Sequence, residues 1–135
     1  MSENARRVAR KFVAAINAHD VAAILAFLAP KFVMVDSLGN RLPREQMPSG
    51  WKQYFSMVPD YWIKVQEEIA DKNRIFLLGQ AGGTYVAPGG APQAENKWQS
   101  EAVWCATVSR GKLTEWRIWA DNEPIREKMR AATSR

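Results

Sequence analysis

Apolar residues recur at helical spacing in the first half of the chain and alternate in a strand-like way in the second half. Four segments carry the helical pattern, each bounded by a capping residue, a proline or turn residues. They are residues 2–16, 21–29, 46–57 and a short stretch that begins at Pro124. Between the second and third helices, residues 31–36 (KFVMVD) predict a strand that a turn follows.

From residue 61 onward the pattern is that of strands. They are predicted over residues 61–70, 74–86, 96–109 and 112–120. Turn residues at 71–73 and 110–111 predict two hairpins, and the adjacent Gly82 and Gly83 predict a bulge or a sharp bend. Helices followed by strands, rather than alternating with them, predict an α+β fold. Residues 1–135 carry no repeat or linker, so a single domain is expected.

Composition and charge narrow the classes of function. The chain is 47% hydrophobic and 24% charged, as ordinary soluble domains are. Its net charge of +5 is spread along the sequence apart from a basic stripe on the first helix, which we interpret as a solvated face, so no nucleic-acid partner is expected. No apolar run reaches the roughly 20 residues of a membrane span. The lone Cys105 is typical of a reducing compartment, and a cytoplasmic protein without a membrane partner is expected.

Three segments carry a family resemblance. They are KFVAAINAHD (11–20), FVMVDSLGN (32–40) and RGKLTEWRIWADN (110–122). Through them and the order of its elements, the chain resembles the nuclear-transport-factor-2-like superfamily, and within it the SnoaL-like and ketosteroid-isomerase-like branch. The resemblance implies a cystatin-like α+β roll, in which a cone-shaped, curved, mixed β-sheet wraps around a pocket that N-terminal helices close. It implies no single function, because the same cone serves isomerases, cyclases, epoxide hydrolases and non-catalytic binding proteins.

Asp36 is the candidate catalytic residue. It ends the first predicted strand, in a segment similar to the one in which ketosteroid isomerases place their proton-shuttling aspartate. In an apolar cone the pKa of a carboxyl group is expected to rise, which would suit Asp36 to proton transfer on a small apolar carbonyl compound. The alternative is an aspartate that begins a turn by accepting hydrogen bonds from backbone amides. Both interpretations stay open at this point.

The remaining catalytic groups of these relatives are not matched. Phe12 stands where the resemblance places the tyrosine of the isomerase oxyanion site, and Trp104 stands near the position of its protonated acid. The positions of the epoxide-hydrolase acids and arginine hold Gln80, Gly82 and Ile118. Steroid isomerisation and epoxide hydrolysis are therefore not expected. An isomerase-, cyclase- or lyase-like enzyme, a binding protein and a protein-interaction domain remain as alternatives.

Strand parity and the family register predict which side chains face the pocket. Besides Asp36, the predicted ligand-contacting residues are Phe12, Ile16, Tyr54, Gln80, Trp104, Trp116 and Ile118. For the two tryptophans, packing in the core is an equal alternative. The sequence contains no metal-ligand spacing, phosphate loop or dinucleotide fingerprint, so neither a metal nor a cofactor is expected.

The opposite parity defines an outer sheet face. Val103, Cys105 and Trp119 belong to it. An apolar patch of this kind is costly on a monomer, so a homodimer that packs sheet against sheet through this face is expected.

Overall fold

The computed structural model describes residues 2–134. Over these residues the chain forms four α-helices and six β-strands. In chain order they are α1 (Ser2–Asn17), α2 (Val21–Ala26), β1 (Leu28–Val35), β2 (Arg41–Pro43), α3 (Met47–Met57), β3 (Trp62–Asp71), β4 (Arg74–Thr84), β5 (Lys97–Ser109), β6 (Lys112–Ala120) and α4 (Glu123–Ser134). Short 3₁₀ helices at Arg44–Gln46 and Ala94–Asn96 precede α3 and β5.

The strands form one mixed sheet in the order β2-β1-β6-β5-β4-β3. β1 runs parallel to β6, and the other neighbouring pairs are antiparallel. β2 and β3 are the two edges of this curved sheet, which therefore does not close into a barrel. The predicted α+β class with a curved mixed sheet is confirmed.

The first strand begins earlier than the sequence predicts. α2 ends at Ala26, and Pro30 lies inside β1 instead of ending the helix. The pairing of β1 with β6 is irregular between Leu28 and Val33. Pro30 is tolerated there because its missing N–H falls where the ladder is already interrupted. β2 was not predicted from the sequence, because its three residues are too few to show alternation.

Glycines in β4 allow neighbouring atoms to approach closely, but the predicted bulge lies elsewhere. The bulge lies in β3, opposite Gly79, rather than at Gly82 and Gly83. Those two glycines allow close packing. A Cβ on Gly82 would lie 2.6 Å from the carbonyl oxygen of Trp98, and one on Gly83 would overlap a methyl group of Val58.

A layer of apolar side chains joins α1 to the face of the sheet that it covers, here called the inner face. Phe12 and Ile16 of α1 are fully buried, as are Trp104 and Trp116 on the sheet. The ring of Phe12 lies 4.8 Å from that of Trp116, which in turn lies 6.5 Å from that of Trp104. These side chains form a packed layer between α1 and the sheet.

The basic stripe of α1 is tied to the sheet by an acid. Glu68 accepts hydrogen bonds from Arg10, at 2.7 Å from Nε and 2.9 Å from Nη2, and from Arg6 Nη1 at 3.2 Å. The hydrogen bonds from Arg10 are the main cause that holds the pKa of Glu68 below its usual value. Arg6 and Arg10, two basic residues of this stripe, thus tie α1 to β3. None of the helices within residues 2–134 is both long and apolar enough to cross a membrane.

Candidate functional site

A cavity of about 320 Å³ lies beside α3 on the inner face of the sheet. Alternate residues of β5 line it because side chains two positions apart on a strand share a face. These are Trp98, Ser100, Ala102 and Trp104. Ile118 and Ala120 of β6 continue the same wall. The volume is in the range of small-molecule sites.

Five aromatic side chains line the cavity. They are Trp51 and Tyr54 of α3, Tyr61 before β3, and Trp98 and Trp104 of β5. Tyr54 and Tyr61 meet edge to face at 4.9 Å, and Tyr61 stacks on Trp98 at 6.3 Å, both measured between ring centroids. Burial raises the pKa of Tyr54 and of Tyr61, so both phenols stay neutral at physiological pH.

The polar part of the lining is small. It consists of Asp36, Ser37, Gln46, Ser100 and Asn122. Ser37 Oγ accepts a hydrogen bond of 3.1 Å from the backbone N–H of Ala120, which ties the turn after β1 to the end of β6. That bond holds the turn beside the cavity. Asp36 is the only charged residue among the described residues that line the cavity.

The carboxylate of Asp36 is bound by its own turn. Oδ1 accepts hydrogen bonds from the backbone N–H of Leu38 at 3.0 Å and of Asn40 at 2.9 Å, and Oδ2 accepts one from the Asn40 side-chain amide at 3.1 Å. Burial acts to raise the pKa of Asp36, but these hydrogen bonds together outweigh it, and the pKa lies below the usual value. The expectation of a raised pKa was therefore wrong, because donors within four residues stabilise the charged form.

The structure brings four of the predicted site residues to the cavity and leaves four elsewhere. Asp36, Tyr54, Trp104 and Ile118 line it. Phe12, Ile16 and Trp116 do not, because they are the packed layer between α1 and the sheet. Gln80 lies on the opposite face.

Gln80 was assigned to the wrong face of β4. Its neighbour Ala81 lines the cavity and pairs with Ser100, so the side chain of Gln80 points to the outer face. There it donates a hydrogen bond of 3.2 Å to Glu101 and accepts one of 2.9 Å from Gln99. These partners satisfy the amide outside the cavity.

Three aromatic residues of the cavity were not predicted from the sequence. Trp98 and Ser100 share the parity of Trp104, so extending the alternation to the start of β5 would have found them. Trp51 lies one helical turn before Tyr54 and would have been found by helical spacing. Tyr61 stands in a loop, where no periodicity applies.

His19 positions Tyr61 from the turn between α1 and α2. Its Nε2 lies 2.7 Å from the carbonyl oxygen of Tyr61, and its ring stacks on Phe55 of α3 with centroids 4.3 Å apart. The imidazole thus joins this turn to α3 and to the cavity wall. Within residues 2–134, no three His, Cys, Asp or Glu side chains are grouped so as to hold a metal ion.

Solved structures with the same fold include several proteins of low sequence identity. AclR from Streptomyces galilaeus, a proposed hydroxylase, superposes with a TM-score of 0.79 at 20% identity, over 96% of this chain and 85% of AclR. IdmH from Streptomyces antibioticus, a proposed polyketide cyclase, gives 0.78 at 18% identity, over 93% and 97%. A proposed SnoaL-like polyketide cyclase from Shewanella denitrificans gives 0.80 at 10% identity, over 94% and 97%. At these identities the likeness shows the fold alone.

The family is shown by the sequence itself. The sequence matches no curated protein. The model of the SnoaL-like domain, however, matches residues 9–116, which is most of the chain and includes the sheet strands from β1 to β5 and part of β6. The chain belongs to the SnoaL-like domain family.

Proposed function

We propose that this chain binds a small, mainly apolar ligand in the cavity beside α3. The observation that carries the proposal is the cavity itself, about 320 Å³ in volume and walled by five aromatic residues with a short polar arc. Large rings bury much apolar surface against a ligand and lose little conformational freedom in doing so. The proposed hydroxylase and cyclase activities of AclR and IdmH agree with a small organic molecule as the ligand.

Binding is favoured over proton transfer by the surroundings of Asp36. A general base works best when its pKa lies near the operating pH. The turn amides that hold the Asp36 oxygens lower its pKa and make the carboxylate a weak base. Isomerase- or cyclase-like turnover of a carbonyl compound through Asp36 therefore stays the alternative function, which requires a ligand whose own proton is acidic.

Gly50 offers a direct test of the cavity. It lines the cavity from the exposed side of α3, and a Cβ built on it meets no atom within 4 Å. Gly50→Leu should therefore fold normally and place its side chain in the opening. We expect the affinity for 2-indanol, a neutral bicyclic probe, to fall by about tenfold or more, measured by isothermal titration calorimetry.

The matched control is Ser56→Leu, which adds a similar side chain to the same helix at an exposed position outside the cavity. It should leave the affinity for 2-indanol within about twofold of the wild-type value. Equal affinities for the wild-type chain and Gly50→Leu would place the probe elsewhere and contradict the proposal.

We further propose that the chain forms a homodimer through the outer sheet face. The rings of Phe76 and Trp119 stack there at 6.4 Å, and the guanidinium of Arg117 lies 5.1 Å from the centroid of the Trp119 ring. Trp119 is 41% exposed and Ile69, which pairs with Phe76, is 47% exposed. Aromatic and arginine side chains of this kind commonly anchor protein interfaces.

Trp119→Glu should weaken this association. The change removes the exposed ring that anchors this face and replaces it with a carboxylate that is costly to desolvate even beside Arg117, so we expect the dimer dissociation constant to rise by at least about tenfold, measured by sedimentation equilibrium. Leu38→Glu provides the control, because Leu38 is 73% exposed in the turn after β1, outside the strands that carry this face. A wild-type chain that sediments as a monomer, or a Trp119→Glu dimer as tight as the wild type, would refute the interface.

A further inference from the structure

The cavity has an electrostatic character opposite to that of the whole chain. The chain carries a net charge of +5. The lining contains Asp36 and, among the described residues, no Lys, Arg or His. Asp36 also takes part in none of the ion pairs found within residues 2–134. Among the described residues, no cationic side chain lies within ion-pair distance of this negative charge.

The carboxylate keeps room for a further donor. A carboxylate offers about four acceptor positions over its two oxygens. The turn occupies two of them on Oδ1 and one on Oδ2 of Asp36. Oδ2 thus accepts one of these hydrogen bonds where Oδ1 accepts two, and it is the oxygen with more room for a donor outside the turn, although the nearby Gly39 N–H also helps to lower the pKa of the group. The same turn hydrogen bonds keep the group ionised at neutral pH, because they lower its pKa.

The aromatic walls suit a positive charge as well as an apolar body. The faces of Trp and Tyr rings carry partial negative charge and attract ammonium groups within about 6 Å. On the cavity wall, Tyr54 meets Tyr61 edge to face, and Tyr61 stacks on Trp98. Because burial raises the pKa of both phenols, the two tyrosines stay neutral, and Asp36 is the one charged side chain among the described residues of the lining.

We propose that the natural ligand of this cavity is an organic cation, an amine with an apolar body whose ammonium group pairs with Asp36 beside the aromatic wall. This inference rests on the proposed ligand-binding function and specifies the charge of the ligand. Asp36 then acts as a counter-ion and not as a base. The net charge of the lining also makes the cavity reject carboxylates and phosphates of similar shape.

Three probes that share one bicyclic skeleton test the charge preference. They are 2-aminoindane, which is an ammonium ion at neutral pH, 2-indanol, which is neutral, and indane-2-carboxylate, which is an anion. Calorimetry on the wild-type chain should give an affinity for the ammonium probe about tenfold above that of the alcohol, because the ion pair and the ring contacts outweigh the cost of desolvation. The carboxylate should bind at least about tenfold more weakly than the alcohol.

Asp36→Asn shows whether the preference depends on this carboxylate. In that variant the ratio of ammonium to alcohol affinity should fall to within about twofold, because the charge is lost while the side-chain shape is kept. Asp71→Asn is the matched control. Asp71 is exposed in the β3–β4 hairpin, and its removal raises the net charge of the chain by the same amount. It should retain the tenfold ratio, about as in the wild type.

The outcomes separate this inference from the function on which it rests. Equal binding of the ammonium and alcohol probes, or tighter binding of the carboxylate, overturns the organic-cation proposal and leaves the apolar pocket standing. Failure of all three probes to bind overturns both. A preference for the ammonium probe that survives Asp36→Asn overturns the role of Asp36. The wild-type comparison needs no variant, so poor folding of Asp36→Asn would not remove the test.

Discussion

Gly79→Ala should lower the free energy of unfolding by about 3 kcal/mol or more, although the substitution removes no contact. A Cβ on Gly79 would overlap the carbonyl oxygen of Lys64, where β3 bulges against β4. The obstructing atom belongs to the backbone of a paired strand, so it cannot move aside as a flexible side chain would. Urea unfolding followed by circular dichroism measures the difference.

Gly50→Ala is the matched control for this prediction. It is the same substitution in α3, where a Cβ meets open space. Because alanine is the better helix former, this variant should be more stable than the wild type by about 0.5–1 kcal/mol. A cost below about 1 kcal/mol for Gly79→Ala would show that the bulge can relax and that the close approach is not required.

Trp116→Ala should cost about 3–5 kcal/mol, the usual cost of truncating a buried large ring. Trp116 is 1% exposed, and its ring packs against Phe12 and Trp104 between α1 and the sheet. The cavity that the truncation leaves has rigid strands on one side and a helix on the other, so it cannot easily collapse. Thermal and urea unfolding of the variant measure the loss.

Trp119→Ala is the control on the same strand. Trp119 faces outward and is 41% exposed, so in dilute monomer its truncation should cost less than about 1 kcal/mol. Equal losses for the two variants would contradict the assignment of Trp116 to the core. They would also restore the possibility that Trp116 contacts a ligand in a looser interior.

The inward residues of β5 and β6 could be predicted because the family register places Trp116 inward and side chains two positions apart on a strand share a face. The hairpin turn at Arg110 and Gly111 does not fix this register by itself, because the pairing of the two strands shifts between Thr107 and Val108. Gln80 could not be placed in this way. Residues 85–96 separate β4 from β5, and a connection of that length sets no register. The sequence therefore does not fix which side chains of β4 face inward.

The pKa of Asp36 depends on two opposing effects, and the sequence indicates both without showing which is larger. The pattern indicated both an apolar surrounding and turn amides, and these shift the pKa in opposite directions. The donors are local, at Leu38 and Asn40, whereas the burial depends on how β1 meets β6 and α3. Only the folded arrangement shows that the local donors prevail.

The aromatic wall has a practical consequence for finding the ligand. Three of the six tryptophans, Trp51, Trp98 and Trp104, line the cavity, so half of the indole fluorophores of the chain lie where a ligand would displace water. A bound molecule should shift their emission to shorter wavelength or quench it, while Trp62, Trp116 and Trp119, which do not line the cavity, supply the background emission. Ligand binding can thus be followed by the intrinsic tryptophan fluorescence of the unlabelled protein, and libraries of metabolites can be screened in solution without a competing dye.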